Sequence, residues 1–371
     1  MEQNNERKLA QLLVNYSVNL QKGENCLLNC VDIPQSMVEH LIIAVRDRGG
    51  NPFLNLTTNR LERALIEYGN EESLKLWAEF DGLRMGKMDA FIGIRSLVNP
   101  KEMSTIQSQY TSYLELYNKP VHHDIRIPQT KWVVSRYPSE FMAYQANMGF
   151  KEFEKFFFRV TTEVDYPKMG KAMKKAKEFL DGADIVILRA PETELSFSIK
   201  GLKSIICAGD ANIPDGEIYT APVINSVNGQ IKYNCPSTIN GKTFTDVTFK
   251  VKDGKIVEAT SNNTSALNTI LDTDEGSRYF GEFALGCNPE ITFAMDNILF
   301  DEKIGGSIHL TPGNAYQECD NTNRSAIHWD LVLIMKKEYG GGEIIIDDQL
   351  ISKDGIFVHP AFEELNFNTR H

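Results

Sequence analysis

Ionisable side chains occur in the second half of the sequence within segments that otherwise look like apolar β-strands. His328 and Asp330 stand two residues apart in the run NRSAIHWDLV. Because side chains alternate between the two faces of a strand, we expect these two to share one face. The chain has only 7 His. Two ionisable groups on one strand face therefore predict contact with water or with a bound group.

Three more residues of the same chemical types lie in unusual settings. His309 ends the apolar strand SIHL just before a Pro-Gly turn, and Glu217 opens a β segment after the turn PDG. Glu282 is surrounded by Gly, Phe, Ala and Leu in GEFALGCNP. Imidazole nitrogens and carboxylate oxygens are the usual ligands of zinc, cobalt and manganese. Two such ions about 3.5–4 Å apart can share a hydroxide and clamp a scissile carbonyl.

Each of these residues also has an ordinary structural explanation. A single His on an apolar strand is more often a hydrogen-bonded structural residue, and a Glu beside a glycine is more often exposed to solvent. Five such residues in one half of the chain leave the two interpretations balanced, because spacing along the chain does not show convergence in space. Tyr316, seven residues after His309, has a phenolic proton suited to stabilising an oxyanion.

The composition is that of an acidic globular protein. At 371 residues, with 42% hydrophobic and 24% charged residues, the chain predicts two domains with full cores. The formal net charge of −11 argues against binding nucleic acid or an anionic membrane surface. No apolar run approaches the roughly 18 residues of a membrane span, and MEQNNERKLA lacks a signal-peptide core. We therefore expect a soluble cytoplasmic protein with six free, reduced cysteines.

The elements that must position the ionisable residues are of two kinds. Up to residue 190, strands such as GENCLLNCV, DAFIGI and DIVILRA alternate with helices, which favours a mostly parallel sheet flanked by helices. No dinucleotide-binding motif follows the first strand. Beyond residue 190, short β segments separated by NGQ, NGK and KDGK predict antiparallel hairpins, with one helix within 264–280. We predict an α/β domain over 1–190 and an α+β, antiparallel-strand-rich catalytic domain over 191–371.

Four segments of the second half together resemble the thermophilic-type metallo-aminopeptidases, the leucyl-aminopeptidase-like family of aminopeptidase T and aminopeptidase S. They are NIPDGEIYTAP, GEFALGCNPEI, DEKIGGSIHLTPGNAY and NRSAIHWDLV. They follow the family's order, and the five ionisable residues are separated by 65, 27, 19 and 2 positions, which is close to the family's spacing. The resemblance extends more loosely over the whole chain.

The resemblance implies a centre of two divalent metal ions, zinc, cobalt or manganese, in the C-terminal domain of a homodimer. The implied ligands are Glu217, Glu282, His309, His328 and Asp330, with one carboxylate shared between the ions. Tyr316 corresponds to the family's active-site tyrosine. Glu302 is a further ligand or a partner of the ligands.

The implied activity is that of an aminopeptidase acting on peptides with a free N-terminus. A metal-activated hydroxide attacks the first peptide carbonyl, Tyr316 stabilises the oxyanion, and Glu282 is the first candidate for carrying the proton to the leaving amine. The loop LTPGNAY departs from the family's usual sequence, which bears on substrate choice. Two alternatives stay open: a metal-dependent amide hydrolase of deacylase type, and a non-catalytic metal- or peptide-binding protein.

Overall fold

The computed structural model describes residues 2–239 and 241–366. The chain divides into two compact units. The first comprises Met1–Glu163 and Gly209–Pro214, and the second comprises Val164–Ala208 and Asp215–His371. The domain boundary near residue 190 remains a prediction, and that residue ends a strand within the second unit.

The structure contains the following helices and strands in its described residues. The helices are α1 (Glu2–Leu12), α2 (Gln35–Asp47), α3 (Asn59–Glu67), α4 (Glu71–Met85), α5 (Gln107–Tyr113), α6 (Ile127–Gln129), α7 (Glu140–Gln145), α8 (Phe150–Thr162), α9 (Tyr166–Asp181), α10 (Thr264–Leu271) and α11 (Ile298–Asp301). The strands are β1 (Asn25–Val31), β2 (Asn51–Thr57), β3 (Ala90–Ser96), β4 (Lys131–Tyr137), β5 (Ile185–Ala190), β6 (Thr193–Ser198), β7 (Ile205–Cys207), β8 (Asn212–Ile213), β9 (Glu217–Thr220), β10 (Asn228–Lys232), β11 (Ser237–Ile239), β12 (Lys242–Phe244), β13 (Thr248–Lys252), β14 (Lys255–Thr260), β15 (Phe280–Gly286), β16 (Ser307–Pro312), β17 (Val332–Ile334), β18 (Glu343–Ile346), β19 (Gln349–Lys353) and β20 (Ile356–Phe357). Two π-helical segments, Leu13–Ser17 and Leu114–Arg126, continue α1 and α5, and short 3₁₀ turns cover Glu275–Arg278, Gln317–Cys319, Lys337–Tyr339 and Glu363–Leu365.

The first unit is built on a five-stranded parallel sheet in the order β2-β1-β3-β4-β8. Strand β1, which lies between β2 and β3 and has the sequence NCLLNCV, is buried along most of its length on both faces. Such continuous apolar burial is typical of parallel strands covered by helices on both sides. On one face, Phe91 and Trp132 pack with Tyr117 of the π-helical segment. The predicted α/β fold of this part is confirmed.

The second unit consists mainly of two antiparallel sheets. One has eight strands in the order β14-β13-β10-β6-β5-β18-β19-β20, and the other has five in the order β17-β16-β15-β9-β7. The turn KDGK joins β13 to β14 as predicted. NGK separates β11 from β12, and its first residue, 240, lies outside the described residues. These sheets confirm the predicted antiparallel α+β character.

The prediction of a turn at NGQ is wrong, because these residues lie within strand β10. Gly229 has a positive φ of 122°. A Cβ at this position would lie 2.2 Å from the carbonyl oxygen of Glu194 on the neighbouring strand. The glycine therefore permits a close approach of two strand backbones instead of reversing the chain.

The five-stranded sheet carries most of the ionisable residues of interest. Strand β15, with the sequence FGEFALG, is buried at every position, and it lies between β9 and β16. The predicted strand through NRSAIHWDLV is realised only in part, because β17 begins at Val332, whereas His328 forms an isolated antiparallel bridge with Gly313 and Asp330 lies between the two. The Nδ2 of Asn323 donates to backbone carbonyls, including that of Gly313 at 2.6 Å. These bonds stand beside backbone hydrogen bonds from Asn314 to Ile327 and from Trp329 to Pro312, which pair the segment with the end of β16.

Two global features bear on the predictions for the chain as a whole. All six cysteines lie in the described part, and none forms a disulfide there. Among the helices described, none is both long and apolar enough to cross a bilayer.

Candidate metal centre

The second unit brings the five predicted ligands together as two clusters that share one carboxylate. Glu217, Glu282 and His309 form one cluster, and Glu282, His328 and Asp330 form the other. Within each cluster the nitrogen and oxygen atoms suited to bind a metal lie within 4.8 Å of one another. The sequence separations of tens of residues are bridged by pairing of β9, β15 and β16.

Strand register explains why the first cluster converges. His309 on β16 pairs with Ala284 on β15, and Glu217 on β9 pairs with Gly286. Residues 282, 284 and 286 point to the same face because side chains alternate along a strand. Glu282 therefore projects on the same side as the imidazole of His309 and the carboxylate of Glu217. A shift by one residue in either pairing would separate them.

Glu282 lies between two imidazoles. Its Oε1 is 3.3 Å from Nε2 of His309, and its Oε2 is 3.1 Å from Nε2 of His328. Each oxygen of this one buried carboxylate thus faces a different cluster. If a cation were bound in each cluster, Glu282 would contribute one oxygen to each of them.

The loop after β16 orients His328. The ring Nδ1–H donates to the backbone carbonyl of Asn314 at 2.8 Å, which directs Nε2 toward Glu282 and toward Oδ1 of Asp330 at 3.3 Å. Gly313 in this loop has a φ of 107°, and a Cβ there would lie 2.1 Å from the carbonyl oxygen of Ile327. A ring whose second nitrogen donates to a carbonyl presents the other nitrogen as a ligand.

Sequence reasoning missed two residues that hold ligands in place. The hydroxyl of Thr311 donates to Oδ1 of Asp330 at 2.6 Å. The ammonium of Lys303, 1% exposed, lies 2.6 Å from Oε1 of Glu217 and 2.6 Å from Oε1 of Glu302. Asp215 is a more distant partner of Lys303, at 3.8 Å. The available signal for Lys303 was a charged residue in DEKIGGSIHL, directly before an apolar strand.

Carboxylates outnumber cationic groups in this centre, and this excess of negative charge shifts the pKa values of its ionisable side chains. Burial alone lowers the pKa of His309, but the hydrogen bond and charge of Glu282 prevail and raise that pKa to about 9. Burial likewise opposes the shift at His328, where Asp330 and Glu282 raise the pKa to about 11. Burial raises the pKa of Glu302 to about 8, despite the nearby ammonium of Lys303. The centre is therefore short of positive charge.

Unsatisfied polar atoms test whether metal ions fit here. Oε2 of Glu217 and Nε2 of His328 are buried and have no hydrogen-bond partner of suitable geometry among the described residues, although Nε2 lies 3.1 Å from Oε2 of Glu282. Buried polar atoms without partners are rare in folded proteins. Both atoms are of the kinds that bind zinc, cobalt or manganese, and both belong to the clusters above. The donor set thus fits divalent cations, which also supply the missing positive charge.

The centre is open on the side of His328. The side chains of His309 and Glu282 are 1% and 4% exposed, whereas that of His328 is 22% exposed. Tyr316 is 43% exposed, and its ring centroid lies 4.6 Å from that of His328 and 5.5 Å from that of Tyr219. Partial burial, reinforced by the nearby carboxylates, raises the pKa of the Tyr316 phenol above its usual range. The phenol therefore keeps its proton at neutral pH.

Comparison with known proteins gives consistent similarities across the chain. The family described as thermophilic metalloprotease (M29) matches residues 2–355. Aminopeptidase 2 of Geobacillus stearothermophilus is 23% identical over 405 aligned positions, covering 94% of each chain. Aminopeptidase AmpS of Bacillus subtilis is 24% identical, covering 83% of each chain. Aminopeptidase T of Thermus thermophilus is 33% identical over 112 residues, which are 29% of this chain and 27% of that protein.

Solved structures show the same fold. Wild-type AmpT from Thermus thermophilus superposes with a TM-score of 0.82 at 20% identity, covering 97% of this chain and all of that one. The 2,5-dihydroxypyridine dioxygenase of Pseudomonas putida superposes with a TM-score of 0.60 at 11% identity, covering 98% and 99% of the two chains. At these identities the likenesses concern the fold, which can carry different chemistries.

Proposed function

The chain belongs to the thermophilic metalloprotease family M29, and from this premise we propose that it is a metal-dependent aminopeptidase that removes N-terminal residues from peptides. Relatives that match it along most of their length are named aminopeptidases. The observation that carries the proposal is the position of Glu282, whose two oxygens face the imidazoles of two separate three-residue clusters.

Each cluster supplies the ligands for one divalent ion in this proposal. Glu217, Glu282 and His309 hold the first, and Glu282, His328 and Asp330 hold the second. When bound, two such ions supply a hydroxide at neutral pH and polarise the scissile carbonyl. Zinc, cobalt and manganese all suit this mixed nitrogen and oxygen donor set.

The surrounding residues keep the ligands in their orientations. Lys303 occupies Oε1 of Glu217 at 2.6 Å, which leaves Oε2 as the atom directed into the cluster. Thr311 orients Asp330 by donating to its Oδ1, the oxygen that also lies 3.3 Å from Nε2 of His328. Ligands fixed by such partners are ready to bind without reorganisation, which raises metal affinity.

Tyr316 is the residue we assign to oxyanion stabilisation. It stands on the open side of the centre beside His328, where a peptide enters, and its phenol keeps its proton at neutral pH. A hydrogen bond to charge that develops only in the transition state raises kcat without tightening ground-state binding.

The proton that moves to the leaving amine needs a carboxylate with a free oxygen. Glu282 was the first candidate for this role, but both its oxygens face the two clusters, which favours the ligand role alone. Glu302 lies next to the clusters without belonging to either of them. Burial raises the pKa of this carboxyl in the metal-free protein, which is the direction that suits general acid–base work near neutral pH. We therefore assign the proton transfer to Glu302.

The test of the proposed function uses chelator-stripped protein that is re-supplied separately with cobalt, zinc or manganese. We expect metal-dependent release of leucine from leucine p-nitroanilide and no release from its N-acetylated form, because the free amine is recognised. A Glu282→Gln variant should lose both bound metal and turnover.

Other outcomes would replace the proposal. Turnover of the acetylated substrate would indicate an amide hydrolase of deacylase type. Metal binding without turnover of any free-amine substrate would indicate a metal- or peptide-binding protein. The homodimer and the cytoplasmic location remain predictions, which gel filtration with light scattering and cell fractionation can test.

A further inference from the structure

The parallel sheet of the first unit carries two arginines side by side at the carboxyl ends of its strands. Arg95 on β3 is the register partner of Arg136 on β4. Both lie on the face that also carries Phe91 and Trp132, since side chains alternate along each strand. Neighbouring strands are about 4.8 Å apart, so the two side chains start close together.

This edge of the sheet is where open α/β sheets bind ligands. In the order β2-β1-β3-β4, strand β1 lies between β2 and β3. After β1 the chain forms β2 on one side of it and then crosses over to form β3 on the other side, so the reversal lies between β1 and β3. Such a reversal leaves a crevice outside the carboxyl ends of the strands. The two arginines belong to β3 and to the adjacent strand β4, at that same edge.

The two side chains differ in their partners. Arg95 is satisfied, because its Nη2 lies 3.1 Å from Oε2 of Glu62 and its Nη1 donates to Asn59 at 3.2 Å. Arg126, on the same face, has its guanidinium 4.9 Å from the ring centroid of Phe91 and 4.8 Å from that of Trp132. Arg126 has these ring contacts, although its Nε and Nη1, like Nε of Arg136, donate to no acceptor among the described residues.

Arg136 has no such contact. Its Nε is buried and donates to no acceptor in the described ranges, and no carboxylate lowers the cost of its charge. Burial and the neighbouring charge of Arg95 together lower the pKa of the guanidinium. A cation that is kept partly buried without a partner destabilises the fold. A charged side chain that the fold leaves without a partner is the kind of unfavourable feature expected at functional sites.

We propose that Arg136, with Arg95 beside it, forms a binding site for a small oxyanion, a carboxylate or a phosphate group, at the carboxyl edge of the first unit's sheet. The planar guanidinium offers paired donors that match the oxygens of either group. The site goes beyond the proposed peptidase activity, and it does not follow from overall basicity, since the net charge is −11.

The test compares the full-length metal-loaded protein with Arg136→Met and with a charge-matched control, Arg189→Met. Arg189 is half exposed and has only a 3.8 Å contact with Glu194. Calorimetric titrations with inorganic phosphate and with acetate, at ionic strength balanced with chloride, measure the affinity of each protein. We expect Arg136→Met to weaken binding of one or both anions by about 10- to 100-fold, the loss of a charge-assisted hydrogen bond. Arg189→Met should bind as the unaltered protein does.

A second measurement separates a ligand site from a structural role. Without added anion, Arg136→Met should unfold in urea at the same or a higher midpoint, because no partner is left unpaired. Binding of phosphate alone or acetate alone identifies the group that is recognised. Anion binding that is undiminished in Arg136→Met, no binding by the unaltered protein, or a lower urea midpoint for Arg136→Met would each overturn the proposal.

Discussion

Replacing Tyr316 by phenylalanine removes one hydroxyl from the open side of the metal centre and leaves the ring contacts unchanged. The phenol donates no hydrogen bond to a residue that the structure describes, and the side chain is 43% exposed. No partner becomes unpaired, so we expect the free energy of unfolding to change by less than about 0.5 kcal/mol. The metal content should also stay the same.

The expected effect is on turnover. Removing one donor that binds a developing oxyanion lowers kcat by about 10²–10³-fold, or about 2.7–4 kcal/mol. Because this contact forms only in the transition state, KM should change little. Steady-state kinetics on leucine p-nitroanilide, with metal content measured on the same samples, give all three quantities.

Tyr219→Phe is the matched control, since this ring packs against Tyr316 but is only 8% exposed. We expect it to retain most of its turnover. Full turnover by Tyr316→Phe would refute the assigned role. Loss of metal from Tyr316→Phe would show that the phenol acts on the ligands instead of on the substrate.

Three further predictions follow from the centre. Lys303→Met should lower the free energy of unfolding of the metal-free protein by about 3–5 kcal/mol, because it leaves the buried carboxylates of Glu217 and Glu302 without their cation; a urea midpoint equal to that of the unaltered protein would contradict this. Glu302→Gln should lower kcat by about 10²–10⁴-fold with two ions still bound, and loss of an ion would make Glu302 a ligand instead. The pKa of His309 is raised from 6.5 to about 9, so its contribution to the stability of metal-free protein is complete below about pH 6.5 and is lost as pH rises through about 9. Metal affinity should rise over the same interval as imidazole protons leave, and thermal unfolding with and without chelator at each pH tests both trends.

Most of the overall fold could be predicted from the sequence because the relevant signals are local, although DIVILRA, which was expected in the parallel sheet, forms β5 of the antiparallel eight-stranded sheet. Alternating helical and apolar segments predicted the parallel sheet, and continuous apolar runs such as NCLLNCV appear as its buried strands. The turn pair KDGK predicted the hairpin between β13 and β14. These signals depend on the side-chain period and on turn chemistry, which a short segment contains in full.

Local signals failed where a distant backbone decides the conformation. Gly229 marks a close approach to Glu194, and a glycine looks the same in a turn. His328 and Asp330 lie in a segment that forms an isolated bridge to Gly313 and is held by side-chain bonds from Asn323, although the sequence around them alternates like a regular strand. Glu194 is 35 residues from Gly229 along the chain, and Asn323 also donates to the backbone carbonyls of Gly276 and Tyr279, which are 47 and 44 residues away.

For the site, the sequence by itself determined which residue types were available and their order along the chain. Only the tertiary structure decided that Glu282 lies between His309 and His328, and that Lys303 holds Glu217 from behind. These contacts depend on the register of three paired strands and on burial. A metal centre needs its ligand atoms within a few ångströms of one another, and no local pattern encodes distances between segments that meet only after the sheet has formed.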